Sequence, residues 1–139
     1  MTLSIRPSDH ISDVQNAFAA AYPHLKLQFF SKAHGESKGS FAKFLIHDRN
    51  TLLGVLNPNL QAGEVNISSE TVTWALEKFF EENFHLHVQV FRQSGSIWLE
   101  TSVSDHLSLA EQEMKGAKST QNPESTASEA EVKDYREQE

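Results

Sequence analysis

Residues 70–92 read ETVTWALEKFFEENFHLHVQVFR, and the hydrophobic period changes part-way along them. Val72, Ala75, Leu76 and Phe79 fall at i, i+3, i+4 and i+7, the spacing of one helix face. Leu86, Val88 and Val90 then alternate with His85, His87, Gln89 and Phe91, the two-residue period of a half-buried strand. Residues 12–31, SDVQNAFAAAYPHLKLQFFS, make the same change. Val14, Ala17, Phe18 and Ala21 share a helix face, and Leu25, Leu27 and Phe29 alternate with His24, Lys26, Gln28 and Phe30. Ser8, Asp9 or Ser12 supplies a start for the first helix, and Ser68 or Ser69 for the second. Pro23 stops the first helix, because proline offers no N–H to the ladder. Short apolar strands at 3–5 and 65–67 precede the two helices.

The chain therefore reads strand–helix–strand twice, and both copies end on Leu-x-(Leu/Val)-Gln-(Phe/Val)-Phe, at 25–30 and 86–91. This predicts an α+β fold, a two-layer sandwich built from a doubled strand–helix–strand unit of ferredoxin-like type. A C-terminal β-hairpin follows. With Ser94-Gly95 as its turn, Phe91 faces Trp98, Gln89 faces Glu100 and Val90 faces Leu99, so apolar meets apolar and a one-residue slip is excluded. The alternative is a β-grasp-like fold with 52–56 as a strand, which leaves the first unit unused.

The chain has 139 residues, 12 Lys+Arg, 19 Asp+Glu and no cysteine, for a net charge of −7. Missing cysteine removes disulfides, Cys-ligated metals and thiol catalysis. Six acids and three bases fall in residues 116–139, whose large apolar side chains are Val132 and Tyr135. That composition cannot offset the entropy of ordering and predicts a disordered acidic tail behind a single domain, 1–115. Gly, Ser and Lys near 32–40 predict a flexible loop within that domain. A negative domain with a negative tail argues against nucleic acid and against anionic lipid. No secretory leader or membrane-spanning run is evident, and the plain expectation is a cytoplasmic protein.

If the Leu/Val positions pack on the helices, the other sheet face carries Lys26, Phe30, His87, Phe91, Trp98 and Glu100. Aromatics rimmed by polar groups on an open sheet mark an interaction surface. Phe30, Phe91 and Trp98 would anchor a protein or peptide partner, with Lys26, His87 and Glu100 as rim. The competing expectation is internal cover, with 104–115 as a short helix laying Leu107, Leu109 and Met114 across the sheet.

Other chemistry has less support. His85 and His87 project to one side of a strand at a spacing that can chelate zinc, with His24, Glu100, Asp105 or His106 as further ligands. Two solvent-facing histidines on a pleat need no such role, and no metal or cofactor is expected. Residues 38–44, KGSFAKF, echo a single-strand RNA-binding motif but put Ser40 and Ala42 in its aromatic slots. Gly35 to Ser40 lacks phosphate-loop spacing. His47-Asp48 and Asp105-His106 are sequence neighbours that point apart on a strand. Nothing requires an enzyme.

The stretches 11–15 (ISDVQ), 25–30 (LKLQFF), 88–101 (VQVFRQSGSIWLET) and 107–112 (LSLAEQ) resemble an uncharacterised family of small Bacteroidetes-type bacterial proteins. The resemblance spans nearly all of 1–115 and is most specific in the hairpin. That family has no assigned activity, so it implies a bacterial protein and carries over no catalytic or binding residue.

Overall fold

A computed structural model describes residues 1–35, 38–40 and 42–121. In chain order the elements are β1 (Thr2–Ile5), α1 (Ile11–Ala21), β2 (Leu25–Phe30), a 3-10 turn (Ala42–Phe44), α2 (Leu53–Leu56), β3 (Gly63–Asn66), α3 (Thr73–Phe84), β4 (His87–Ser94), β5 (Ile97–Glu100) and α4 (Leu109–Gln121). The fold is α+β, with helices layered on antiparallel sheets. Both expected strand–helix–strand units are present, β1-α1-β2 and β3-α3-β4. Their strands sort differently from a ferredoxin-like sheet, which joins them all. Here β1 pairs with β3, while β2, β4 and β5 form a second sheet in that order. Each strand of the first unit lies antiparallel to its own counterpart in the second. The β-grasp alternative fails because 53–56 form one helical turn.

The repeat extends beyond the strands. Ile11 N–H donates to Thr51 O as Thr73 N–H does to Leu107 O, and Ser12 to Arg49 O as Trp74 to Asp105 O. Leu53 donates to Asp9 O as Leu109 does to Thr71 O, and Gly54 to Pro7 O as Ala110 to Ser69 O. Ile46 reaches Phe29 O as Thr101 reaches Val90 O. The rings of Phe18 and Tyr22 meet at 5.4 Å, those of Phe80 and Phe84 at 5.9 Å. The molecule is one unit used twice: strand, helix, strand, a second strand or bridge, helix. By these matching bonds Gln15 corresponds to Glu77, Gln28 to Gln89, and Arg49 to Asp105.

One core joins the units. Leu3, Ile5 and Val65 from the small sheet meet Val14, Phe18, Leu76 and Phe80 from the helices and Leu27, Phe29, Val88 and Val90 from the large sheet. The face expected for α3 is misplaced by part of a turn. Val72 is the N-cap and Phe79 is 38% exposed, whereas Thr73, Leu76, Glu77, Phe80 and Phe84 are buried. Two polar residues lie in the true stripe, so hydrophobicity alone marks the wrong one.

The hairpin closes at Gly95-Ser96, pairing Gln93 with Trp98, Arg92 with Leu99 and Phe91 with Glu100. That is a two-residue slip from the expected register. It keeps every side chain on its expected face, so patterning cannot detect it. Gly95 has φ +61°, the conformation a two-residue hairpin turn of the primed type needs at its first position.

The expected domain edge at Lys115 falls inside α4. The helix runs on to Gln121, with Gly116 and Ser119 buried. A Cβ on Gly116 would lie 2.8 Å from His24 Cβ, so only glycine lets α4 approach β2 this closely. Ser119 Oγ accepts from Gly95 N–H and lies 3.0 Å from Gln93 O, tying the helix to the hairpin turn. Residues 122–139, the rest of the expected tail, lie outside the described residues, as do 36 and 37 of the expected loop.

Candidate functional site

The outer sheet face is covered, but not by the segment expected to do it. α4 lies on the opposite, core-facing side, where Gln112 accepts from Arg92 and Leu109 joins the main core, while Met114 is exposed. The outer cover comes from the 3-10 turn. Phe30, Phe91, Ala42 and Leu45 form a second apolar cluster, with Phe44 and Trp98 packed against it. Ser31 N–H to Phe44 O and Ile46 N–H to Phe29 O strap this turn along β2.

This corrects the expected anchors. Phe30 and Phe91 stack at 6.4 Å and are 2% and 1% exposed, so neither can meet a partner. Glu100, expected on the rim, is 2% exposed and accepts from Ser40 N–H at 2.6 Å. Gly39 passes so close that a Cβ there would sit 2.5 Å from the Glu100 carboxylate. Trp98, Lys26 and His87 remain partly exposed.

What the cover leaves at the surface is basic and aromatic. Lys26 Nζ lies 4.8 Å from the centre of the Trp98 ring. Lys32 and Lys43 lie 5.0 and 5.1 Å from that of Phe44. Ammonium groups at such distances are held by the ring quadrupole while staying hydrated. Beside them is a cavity of 270 Å³ lined by Lys32, His34, Lys38, Ser40 and Phe44 among others.

Beneath this face runs a buried polar chain that sequence reading missed. Ser40 Oγ donates to Gln89 Oε1, Gln89 Nε2 donates to Glu77 Oε2 at 3.1 Å, and Val90 N–H donates to the same oxygen at 2.8 Å. His34 Nε2 donates to Val88 O at 2.8 Å and lies 3.8 Å from Glu77 Oε1. Burial pushes the Glu77 carboxyl well above the usual carboxylate range. The Val90 N–H opposes that rise, and the charges of Asp105 and Glu100 add to it. The signal that finds Glu77 is the repeat itself, since Gln15 is the buried polar residue at the corresponding place in α1.

The histidines do not converge. His85 caps α3 in the left-handed conformation, His87 bonds Glu81 at 2.7 Å, and His24 bonds Glu113. Asp105 is buried while His106 is exposed. Among the described residues no group of three or more His, Cys, Asp or Glu is placed to hold a metal ion. Among them, too, no helix is long and apolar enough to cross a membrane. No family model, curated protein or solved structure matches the chain.

Proposed function

We propose that the protein is a non-enzymatic interaction module whose outer sheet face receives an extended acidic peptide. The observation that carries this reading is the placing of Lys26, Lys32 and Lys43 over two partly exposed aromatic rings, in a chain of net charge −7. Carboxylates on a partner find three ammonium groups there, and its apolar side chains find Trp98 and Phe44 between them. The one acid that the strand pattern sends to this part of the face, Glu100, is turned under Gly39 and Ser40. β5 is an edge strand of its sheet, which suits a partner in extended conformation. Phe30 and Phe91 act from below, as a rigid floor.

The test is fluorescence anisotropy with a labelled peptide of alternating glutamate and valine, beside its lysine–valine counterpart and a single-stranded oligonucleotide. Saturable binding of the acidic peptide, weakened at least tenfold by Trp98→Ala and by Lys26→Glu, is the expected result. Equal binding of the basic peptide, preference for the oligonucleotide, or unchanged affinity in both variants overturns the reading.

A further inference from the structure

We propose that the cavity between α1 and β2 is a binding site for a carboxylate. It has a volume of 280 Å³ and is lined by Gln15, Asn16, Ala19, Lys26, Gln28 and Arg49. Among the described residues that line it are two cationic side chains and no acid.

The hydrogen bonds around it leave donors turned to the cavity. Arg49 can only donate. Its Nε donates to Gln15 Oε1 at 2.6 Å and a terminal nitrogen donates to Asn16 Oδ1 at 2.8 Å. The Gln15 amide nitrogen is thereby committed as donor, to Leu27 O at 2.9 Å and Gln28 Oε1 at 3.1 Å. Both bonds agree on its orientation, since a backbone carbonyl can only accept. The acceptor ends of Gln15, Asn16 and Gln28 are all engaged. The amide groups of Asn16 and Gln28 remain, beside the Arg49 guanidinium, as an array of N–H donors. Such an array fits an anion, and charge-assisted bonds to a carboxylate are the strong ones.

The second unit shows what the first lacks. Its corresponding positions are Glu77, Lys78, Glu81, His87, Gln89 and Asp105, so carboxyl groups stand where the first unit has Gln15, Ala19 and Arg49. His34 Nε2 donates there to Val88 O and lies 3.8 Å from Glu77 Oε1. In the first unit the corresponding carbonyl, Leu27 O, accepts from Gln15, and Arg49 replaces the carboxyl at the cavity.

Lys26 borders both this cavity and the peptide-binding face, so the test uses residues outside that face to keep the two readings separate. Glutarate is titrated into the isotope-labelled protein at constant ionic strength, with chloride and inorganic phosphate as comparison anions. Saturable shifts of the Asn16 and Gln28 side-chain amides and the Arg49 Nε–H are expected. Gln28→Glu and Arg49→Ala weaken the response at least tenfold, and Trp98→Ala leaves it intact. Unmoved side-chain amides, equal shifts with chloride or phosphate, or full binding in both weakening variants overturns the proposal. Circular dichroism of each variant confirms that it is folded.

Discussion

Glu77 sits in α3 with its carboxyl inside the protein, taking hydrogen bonds from the Gln89 amide and the Val90 N–H. In the unfolded chain it ionises in the ordinary range; in the folded protein it keeps its proton to higher pH. Between those two values the native state binds more protons, so this residue lowers stability as pH rises and stops doing so once it ionises in the native state as well. Thermal melts from about pH 5 upward therefore show a downward slope in the wild type that Glu77→Gln flattens. Parallel slopes in the two proteins would contradict this origin. Gln15 and Glu77 also mark where reading by hydrophobicity ends. Each is a buried polar side chain within an apolar stripe, and its reason for being there lies on strands far along the chain. The outward parity of Phe30, Phe91 and Trp98 was legible from alternation. Their cover was not, because the covering turn is three residues long and has no period to read.

At the scale of elements, helices α1 and α3, the strands around them and the two-residue hairpin follow from period changes, Pro23 and Gly95. What escaped was register set by contact rather than pattern. A two-residue slip in the hairpin and a shift of the buried stripe in α3 both preserve most of the hydrophobic match. The extent of α4 was hidden by its composition: after Met114 it buries only Gly116 and Ser119, which look like linker residues. Two measurements address it. Gly116→Val should cost about 1–3 kcal/mol in urea unfolding, because its side chain has no room against His24. Lys118→Val, on the exposed side of the same helix, should stay within about 0.5 kcal/mol. A chain ended after Lys115 should melt below one ended after Gln121, since it loses the Ser119 contacts with the hairpin turn.

At the scale of the molecule, duplication explains the layout. A single unit exposes one side of its strands and helix. Two units placed with β1 against β3 and β2 against β4 bury these sides in one core. Phe18 and Phe80 hold corresponding places in it, both fully buried. Phe18→Ala and Phe80→Ala should each cost about 3–5 kcal/mol while leaving one cooperative transition with an unchanged urea slope. Separate transitions would mean that the units fold independently. The two units differ in charge at corresponding positions, Arg49 against Asp105 and Gln15 against Glu77, and the first unit and the outer face carry basic groups within an acidic chain. The binding reading rests on that local reversal. Its most direct test uses Trp98 as the single reporter, in a Trp74→Phe background. Adding the glutamate–valine peptide should protect Trp98 from acrylamide quenching, and Lys26→Glu should abolish the protection. Trp98 quenched equally with and without the peptide, at concentrations where the peptide binds, would contradict the account.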